Sequence, residues 1–250
     1  PGPRRGLVLN LAEYRMYYFP ESQQGKPAYV YTYPMSIGRM DWETPLGSTQ
    51  IVAMARDPAW YPPQSVREEH AADGDPLPRV VPPGPDNPLG TRALRLGLPG
   101  YLIHGTNRPA GVGMRVSHGC VRMFPEDIEF LFEHIRVKSP VRIINAPVKI
   151  GWEGDALVAE VHPLLQSAQP LADATLEKIE QLDADVELPP PDPNSKDPLT
   201  HVTEQFIAAT AVRAGQLDWD RVEELVRRSD GIPETVGVGI KNAATSAAFE

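Results

Sequence analysis

The chain has a single cysteine in 250 residues, Cys120, and this scarcity excludes an internal disulfide and any site built on a Cys-x-x-Cys pair. Thiol–disulfide exchange goes with it, because no second thiol could resolve a mixed disulfide. His-x-x-x-His pairs are also missing. His104, His118 and Cys120 alone make a poor zinc set, so no metal is expected. Apolar runs stay short, as in Gly6-Leu7-Val8-Leu9, far below the roughly 18 residues of a membrane-spanning helix. No signal peptide is visible at the Pro1 end, which leaves export undecided. Positive charge is in deficit: 24 Lys and Arg face 33 Asp and Glu, a net charge of −9. Residues 1–150 carry 17 basic against 14 acidic side chains, and residues 151–250 carry 7 against 19. Phosphate backbones require clustered cations, so nucleic acid is not an expected partner. The sequence contains no internal repeat and no heptad array.

What is present fits a soluble globular chain with one sizeable core or a core plus an appended lobe. Through residue 150 the pattern is that of strands. Leu7–Leu11 and Met16–Phe19 flank a short Glu13-Tyr14-Arg15 connection, and Ala28–Tyr33 follows with the β-branched and aromatic content of sheet. These three read as an opening meander. Further strands are expected at Gln50–Met54, Tyr101–His104 and Val141–Ile144, and Val148–Ile150 with Ala156–Ala159 reads as a hairpin around Glu153-Gly154-Asp155.

Between Asp57 and Gly90 nine prolines fall in 34 residues, a density that excludes central strands and long helices. The segment 57–90 is read as a long ordered loop, a lid over the sheet. One helix is signalled directly after the cysteine: Pro125 suits its first position, Glu126 and Asp127 its positive end, and Ile128, Leu131, Phe132 and Ile135 form an apolar stripe. After Val161 the texture turns acidic and helical. Helices are expected over Leu176–Val186, ended by Pro189-Pro190-Pro191, over Thr200–Ala214 with Gly215 as C-cap, and over Asp218–Arg228.

The chemistry concentrates in Ser117-His118-Gly119-Cys120-Val121-Arg122, sixteen positions after His104. A thiol reacts as thiolate, so a neighbouring imidazole makes a good nucleophile of it. His104 ends a predicted strand and can reach a loop sixteen residues later; His118, at i−2, shares a side of the chain with Cys120 if the segment is extended. Glycine at 119 leaves room for a carbonyl to approach the Cys120 N–H, a candidate oxyanion donor. Arg122 offers a guanidinium fork to a substrate carboxylate, or else pairs with Glu126 or Asp127.

His104-Gly105-Thr106-Asn107 followed by Ser117-His118-Gly119-Cys120-Val121-Arg122-Met123 resembles the signature of the L,D-transpeptidase (YkuD-domain) family of Gram-negative periplasmic type. Leu9–Arg15, Pro34–Gly38 and Thr44–Gly47 look like the family's early strands. The resemblance covers residues 5–147 and implies a mainly β catalytic domain, a YkuD-like β-sandwich with one helix after the cysteine motif; the 148–164 hairpin extension and the C-terminal α-helical, acidic region over 165–250 lie outside it. It implies acyl transfer on peptidoglycan stem tetrapeptides: Cys120 takes the meso-diaminopimelate acyl group as a thioester, D-alanine leaves, and an amine resolves the thioester. The acceptor is a diaminopimelate of another stem or the lysine of an outer-membrane lipoprotein, and hydrolysis on the same fold is the alternative. By position His104 is the general base, oriented by a backbone carbonyl near Gly105, with Thr106 an alternative helper, while Ser117, His118, Gly119 and Arg122 line the site. A periplasmic location, acylation by carbapenems and independence of any metal or organic cofactor are implied as well.

Overall fold

Leu7, Val8 and Leu9 are buried in succession, as in a strand covered on both faces, and Gly6–Asn10 (β1) indeed runs through the interior of a sheet. The computed structural model describes residues 3–21, 29–39, 42–165 and 197–240. β1 pairs antiparallel with Arg15–Phe19 (β2), which pairs antiparallel with Tyr31–Pro34 (β3), giving the expected meander. The link from β1 to β2 is a 3₁₀ turn, Leu11–Glu13, closed by Tyr14 in the left-handed conformation. After the two-residue strand Ile37–Gly38 (β4) come the long strand Gly47–Arg56 (β5), then Arg92–Leu96 (β6), Leu102–His104 (β7), Arg115–Ser117 (β8), Val121–Arg122 (β9) and Pro140–Ile144 (β10).

Eight of these form one mixed sheet in the order β3-β2-β1-β10-β5-β6-β7-β9, while β4 and β8 pair with each other in parallel. The expected helix is present as Pro125–His134, with Ile128, Leu131 and Phe132 buried and Pro125 in its first turn. It is seated by the guanidinium groups of Arg56 and Arg92, which lie 5.2 and 5.5 Å from the centre of the Phe132 ring, and by Tyr18, whose hydroxyl donates to the His134 carbonyl at 2.8 Å. The fully buried Leu9, Met35, Ile51, Leu94, Ile103, Met123 and Ile143 belong to the same unit, which spans residues 2–144.

The proline-rich segment differs from the loop expected of it in one respect. A nine-residue helix, Gln64–Ala72 (α1), occupies the gap between Pro63 and Pro76, and the Pro125–His134 helix is therefore α2. Proline excludes a helix only from its own interior and from the turn before it, and this gap holds none. The rest of the segment is organised by Asn87, which is wholly buried: its Nδ2 donates to the carbonyls of Pro58, Val81 and Pro82, and its Oδ1 accepts from the Leu89 N–H at 2.9 Å. Prolines lack N–H groups but keep their carbonyls, and one amide satisfies two of them.

The second unit begins at Asn145. Val148–Glu153 (β11) and Ala156–Val161 (β12) form the expected hairpin. Pro198–Thr210 (α3) is capped by Asp197, which accepts from the Thr200 N–H, and Trp219–Arg228 (α4) by Asp218, which accepts from the Arg221 N–H. The helices near the C-terminus thus exist, and the reading over Leu176–Val186 lies outside the described residues. Two strands accompany them that helical periodicity did not reveal, Gly215–Leu217 (β13) and Glu234–Gly239 (β14), in a sheet ordered β11-β12-β14-β13. Gly215 accordingly starts a strand and does not cap a helix. The hairpin and the later chain share one core, built on Leu157, Val161, Val202, Val222, Leu225 and Val236. Among the described residues no helix is long and apolar enough to cross a membrane.

Truncation tests the seating of α2. Leu131 is fully buried, so Leu131→Ala is expected to cost about 3 kcal/mol in chemical denaturation. Val137, 45% exposed, should tolerate the same change with a loss of less than about 1 kcal/mol.

Candidate active site

Two very short strands bring the sequence motif to the upstream histidine. β7 and β9 run parallel with Ile103 opposite Val121 and His104 opposite Arg122, and the Met123 N–H extends the pairing onto the His104 carbonyl at 2.9 Å. Ile103 and Val121 are buried on one face. By alternation His104 and Arg122 project together from the other, the side shared by Cys120 at i−2. β9 is held from its second edge by Ser36, whose N–H donates to the Arg122 carbonyl at 2.8 Å and whose carbonyl accepts the Arg122 N–H at 3.2 Å. Ile128 of α2 packs on Gly105, so closely that a Cβ there would lie 3.1 Å from its Cγ2.

The turn that carries the thiol is tied at successive residues. The Arg39 N–H donates to the Ser117 carbonyl at 2.9 Å, the Thr44 hydroxyl to the Gly119 carbonyl at 2.9 Å, and the Ser117 hydroxyl to the Cys120 carbonyl at 2.5 Å. Gly119 has φ +93°, and a Cβ on it would meet the Tyr101 ring at 2.8 Å, so the position requires glycine on two counts. In a trans peptide the carbonyl and the N–H point in opposite directions. With the Gly119 carbonyl held by Thr44, the Cys120 N–H is directed away from it and is fixed as a donor.

His104 is buried, and its Nδ1 lies 2.6 Å from the Gly105 carbonyl. The carbonyl can only accept, so the proton sits on Nδ1 and the lone pair on Nε2. Burial, reinforced by the Arg122 charge and opposed by the Gly105 hydrogen bond, lowers its pKa to about 4. The Cys120 thiol, half-buried, is pushed up by burial, while the Leu102 N–H and the Arg122 charge pull it the other way. Its S–H is directed at the Gly100 carbonyl, 3.6 Å away. The resting pair is therefore a neutral thiol and a neutral imidazole.

Arg122 is partly buried, and desolvation and the neighbouring Arg108 hold its pKa below the usual guanidinium range. Its Nε is buried with no hydrogen-bond partner. Neither Glu126 nor Asp127 pairs with it among the described residues, so the cation remains available to an incoming anion. The Thr106 hydroxyl accepts the Arg108 N–H at 2.9 Å and shapes the following turn, while the His104 Nδ1 contact goes to the Gly105 carbonyl.

Sequence reasoning gave no hint of the partners of His118. Its Nε2 is 2.7 Å from Oε2 of Glu69, on α1, and its ring meets the edge of Trp42 with centroids 5.3 Å apart. Arg39 Nη2 joins the same carboxylate at 2.7 Å. Glu69 is 49 residues from His118, and a carboxylate on a polar nine-residue helix has no local signature. Leu89 and Gly90, where the proline-rich segment ends, pack on Gly105, and a Cβ on Gly90 would lie 2.7 Å from the Thr106 nitrogen.

Comparison with known proteins places this geometry in context. Residues 4–143 match the family model of the L,D-transpeptidase catalytic domain. The probable L,D-transpeptidase ErfK/SrfK of Salmonella typhimurium is 37% identical over 238 residues, 94% of this chain and 68% of that protein. The probable L,D-transpeptidase YbiS of Escherichia coli is 43% identical over 166 residues, 66% of this chain and 53% of its own length. YcfS of Escherichia coli, also described as a probable L,D-transpeptidase, is 40% identical over 193 residues and 55% covered. The chain thus spans little more than half the length of two of these relatives.

The depressed pKa of His104 has a stability consequence of definite sign. A histidine held neutral in the fold takes up a proton more readily when unfolded, so its contribution is fully present above the unfolded value of 6.5 and is lost as pH falls toward about 4. Urea titrations at pH 7.5 and pH 4.5 should show wild type losing more stability between the two than His104→Gln, which carries no ionisable ring. Equal losses would mean that the imidazole titrates normally.

Proposed function

The chain belongs to the L,D-transpeptidase (YkuD) catalytic-domain family, and from that membership we propose that it is a cysteine L,D-transpeptidase acting on the tetrapeptide stems of peptidoglycan in the periplasm. The observation that carries the reading is the tautomer of His104: with Nδ1–H given to Gly105, an uncharged imidazole offers Nε2 as a base on the side of the sheet that Cys120 shares.

In the first half-reaction Cys120 Sγ attacks the carbonyl at the L-centre of meso-diaminopimelate as its proton passes to His104 Nε2. The tetrahedral oxyanion is met by the Cys120 N–H, whose direction Thr44 sets through Gly119. Collapse breaks the amide bond; D-alanine leaves as its amine, with the proton returned by His104, and a thioester remains on Cys120. In the second half-reaction an amine attacks the thioester, its proton goes to His104, and the thiol departs reprotonated. The acceptor is a diaminopimelate side-chain amine of another stem or the lysine of an outer-membrane lipoprotein. The Arg122 guanidinium, with no carboxylate of its own among the described residues, binds a carboxylate of the donor stem.

A thiol with an elevated pKa and a base near 4 form no stable ion pair, so proton transfer accompanies the attack. This favours a strained or activated carbonyl, and carbapenems are expected to acylate the same sulfur.

Purified protein given tetrapeptide-bearing muropeptides, with and without a lysine-terminated lipoprotein peptide, separates transfer from hydrolysis. Cross-linked or lipoprotein-linked products support the transferase. Tripeptide as the sole product under every acceptor condition would assign a hydrolase on the same fold. Arg122→Ala should raise KM for the anionic stem by about tenfold, the loss of one charge-assisted contact, with a smaller effect on kcat.

A further inference from the structure

The helix within the proline-rich segment delivers one carboxylate to the catalytic turn, and nothing in the acyl-transfer chemistry above makes use of it. Glu69 Oε2 lies 2.7 Å from His118 Nε2, and Glu69 Oε1 lies 2.7 Å from Arg39 Nη2. Arg39 Nη2 and His118 Nε2 are themselves 3.3 Å apart. A guanidinium has no acceptor to offer, so these two nitrogens are both donors converging on one carboxylate, and Nε2 of His118 carries its proton whatever the charge of the ring. His118 is thus the mirror of His104: one keeps its proton on Nε2, the other on Nδ1.

The contact is placed where orientation matters. His118 is followed by Gly119, with φ +93°, and then by Cys120, so a tilt of the imidazole is passed through one glycine to the nucleophile. The turn's backbone is anchored by Arg39, Thr44 and Ser117, whereas among the described residues the His118 side chain is held by Glu69, by the edge of Trp42 and by its approach to Arg39. Arg39 separately ties its backbone N–H to the Ser117 carbonyl, so its guanidinium fixes the Glu69 carboxylate beside the turn while Glu69 holds the His118 ring. Those hydrogen bonds hold the Glu69 carboxyl below its usual range, and it is ionised at neutral pH. The pair is one-third exposed, which suits orientation and not bulk stabilisation.

We propose that Glu69 is a positioning residue of the active site, acting through His118 to hold the His118-Gly119-Cys120 turn in its attacking geometry. The inference rests on the reading of Cys120 as the acyl carrier. A misplacement of a nucleophile by a fraction of an ångström lowers the rate of attack without removing any reacting group. The consequence is that α1 and the proline-rich segment around it are part of the machinery, and that the carboxylate matters only while His118 is there to receive it.

The test is a double-mutant cycle read as the second-order rate constant for acylation of Cys120 by a carbapenem, followed by intact-protein mass. Glu69→Ala should react about tenfold more slowly than wild type, and Glu69→Gln, which keeps an oxygen for the Nε2 proton, should fall between them. In a His118→Asn background Glu69→Ala should make no further difference. The proposal is overturned if Glu69→Ala and Glu69→Gln react at the wild-type rate, or if the loss persists undiminished in the His118→Asn background. Far-UV circular dichroism checks each fold, and Glu69→Gln decides the matter if Glu69→Ala melts early. A wild-type protein that is never acylated would instead defeat the reading of Cys120, and so the two failures are distinct.

Discussion

The parallel pairing of Leu102–His104 with Val121–Arg122 is the constraint on which the site depends. It is only two residue pairs long, and a parallel ladder of that length has little stability of its own. Its surroundings supply the rest. Ile103 and Val121 are buried beneath it, Ser36 closes its outer edge, and α2 begins immediately afterwards and packs back on Gly105. A one-residue slip would send His104 to the opposite face from Cys120. The register therefore shapes the site as much as either side chain does.

Burial then sets the chemistry that this register allows. His104 is buried enough to stay uncharged, and the contact of its ring with the Gly105 carbonyl fixes which nitrogen is free. Arg122 adds a positive charge that discourages protonation of the imidazole and favours the thiolate. For a proton passing from Cys120 to His104 these two effects offset each other, and burial leaves both groups neutral at rest. A preformed thiolate would be open to unproductive alkylation or oxidation.

Much of this was legible in the chain because it is local. Ser117 to Arg122 are contiguous, the amphipathic stripe of α2 spans ten residues, and the apolar and aromatic content of the early strands marks sheet directly. What stayed hidden depends on partners distant in sequence. Glu69 reaches His118 across 49 positions, and Asn87 organises prolines on both sides of α1 through carbonyls that leave no compositional trace. β13 is three residues long and β14 reads Glu234-Thr235-Val236-Gly237-Val238-Gly239, so neither carries a pattern that outweighs the helices that precede them. The carbonyl that orients His104, on Gly105, leaves no mark in the sequence, because every residue carries one.

The central claim is that Cys120 carries the acyl group. It is tested most directly by intact-protein mass after exposure to a carbapenem, with wild type beside Cys120→Ala. One covalent adduct on wild type and none on the variant is the expected result. A folded wild-type protein that gains no mass, or an adduct that survives in Cys120→Ala, would contradict it.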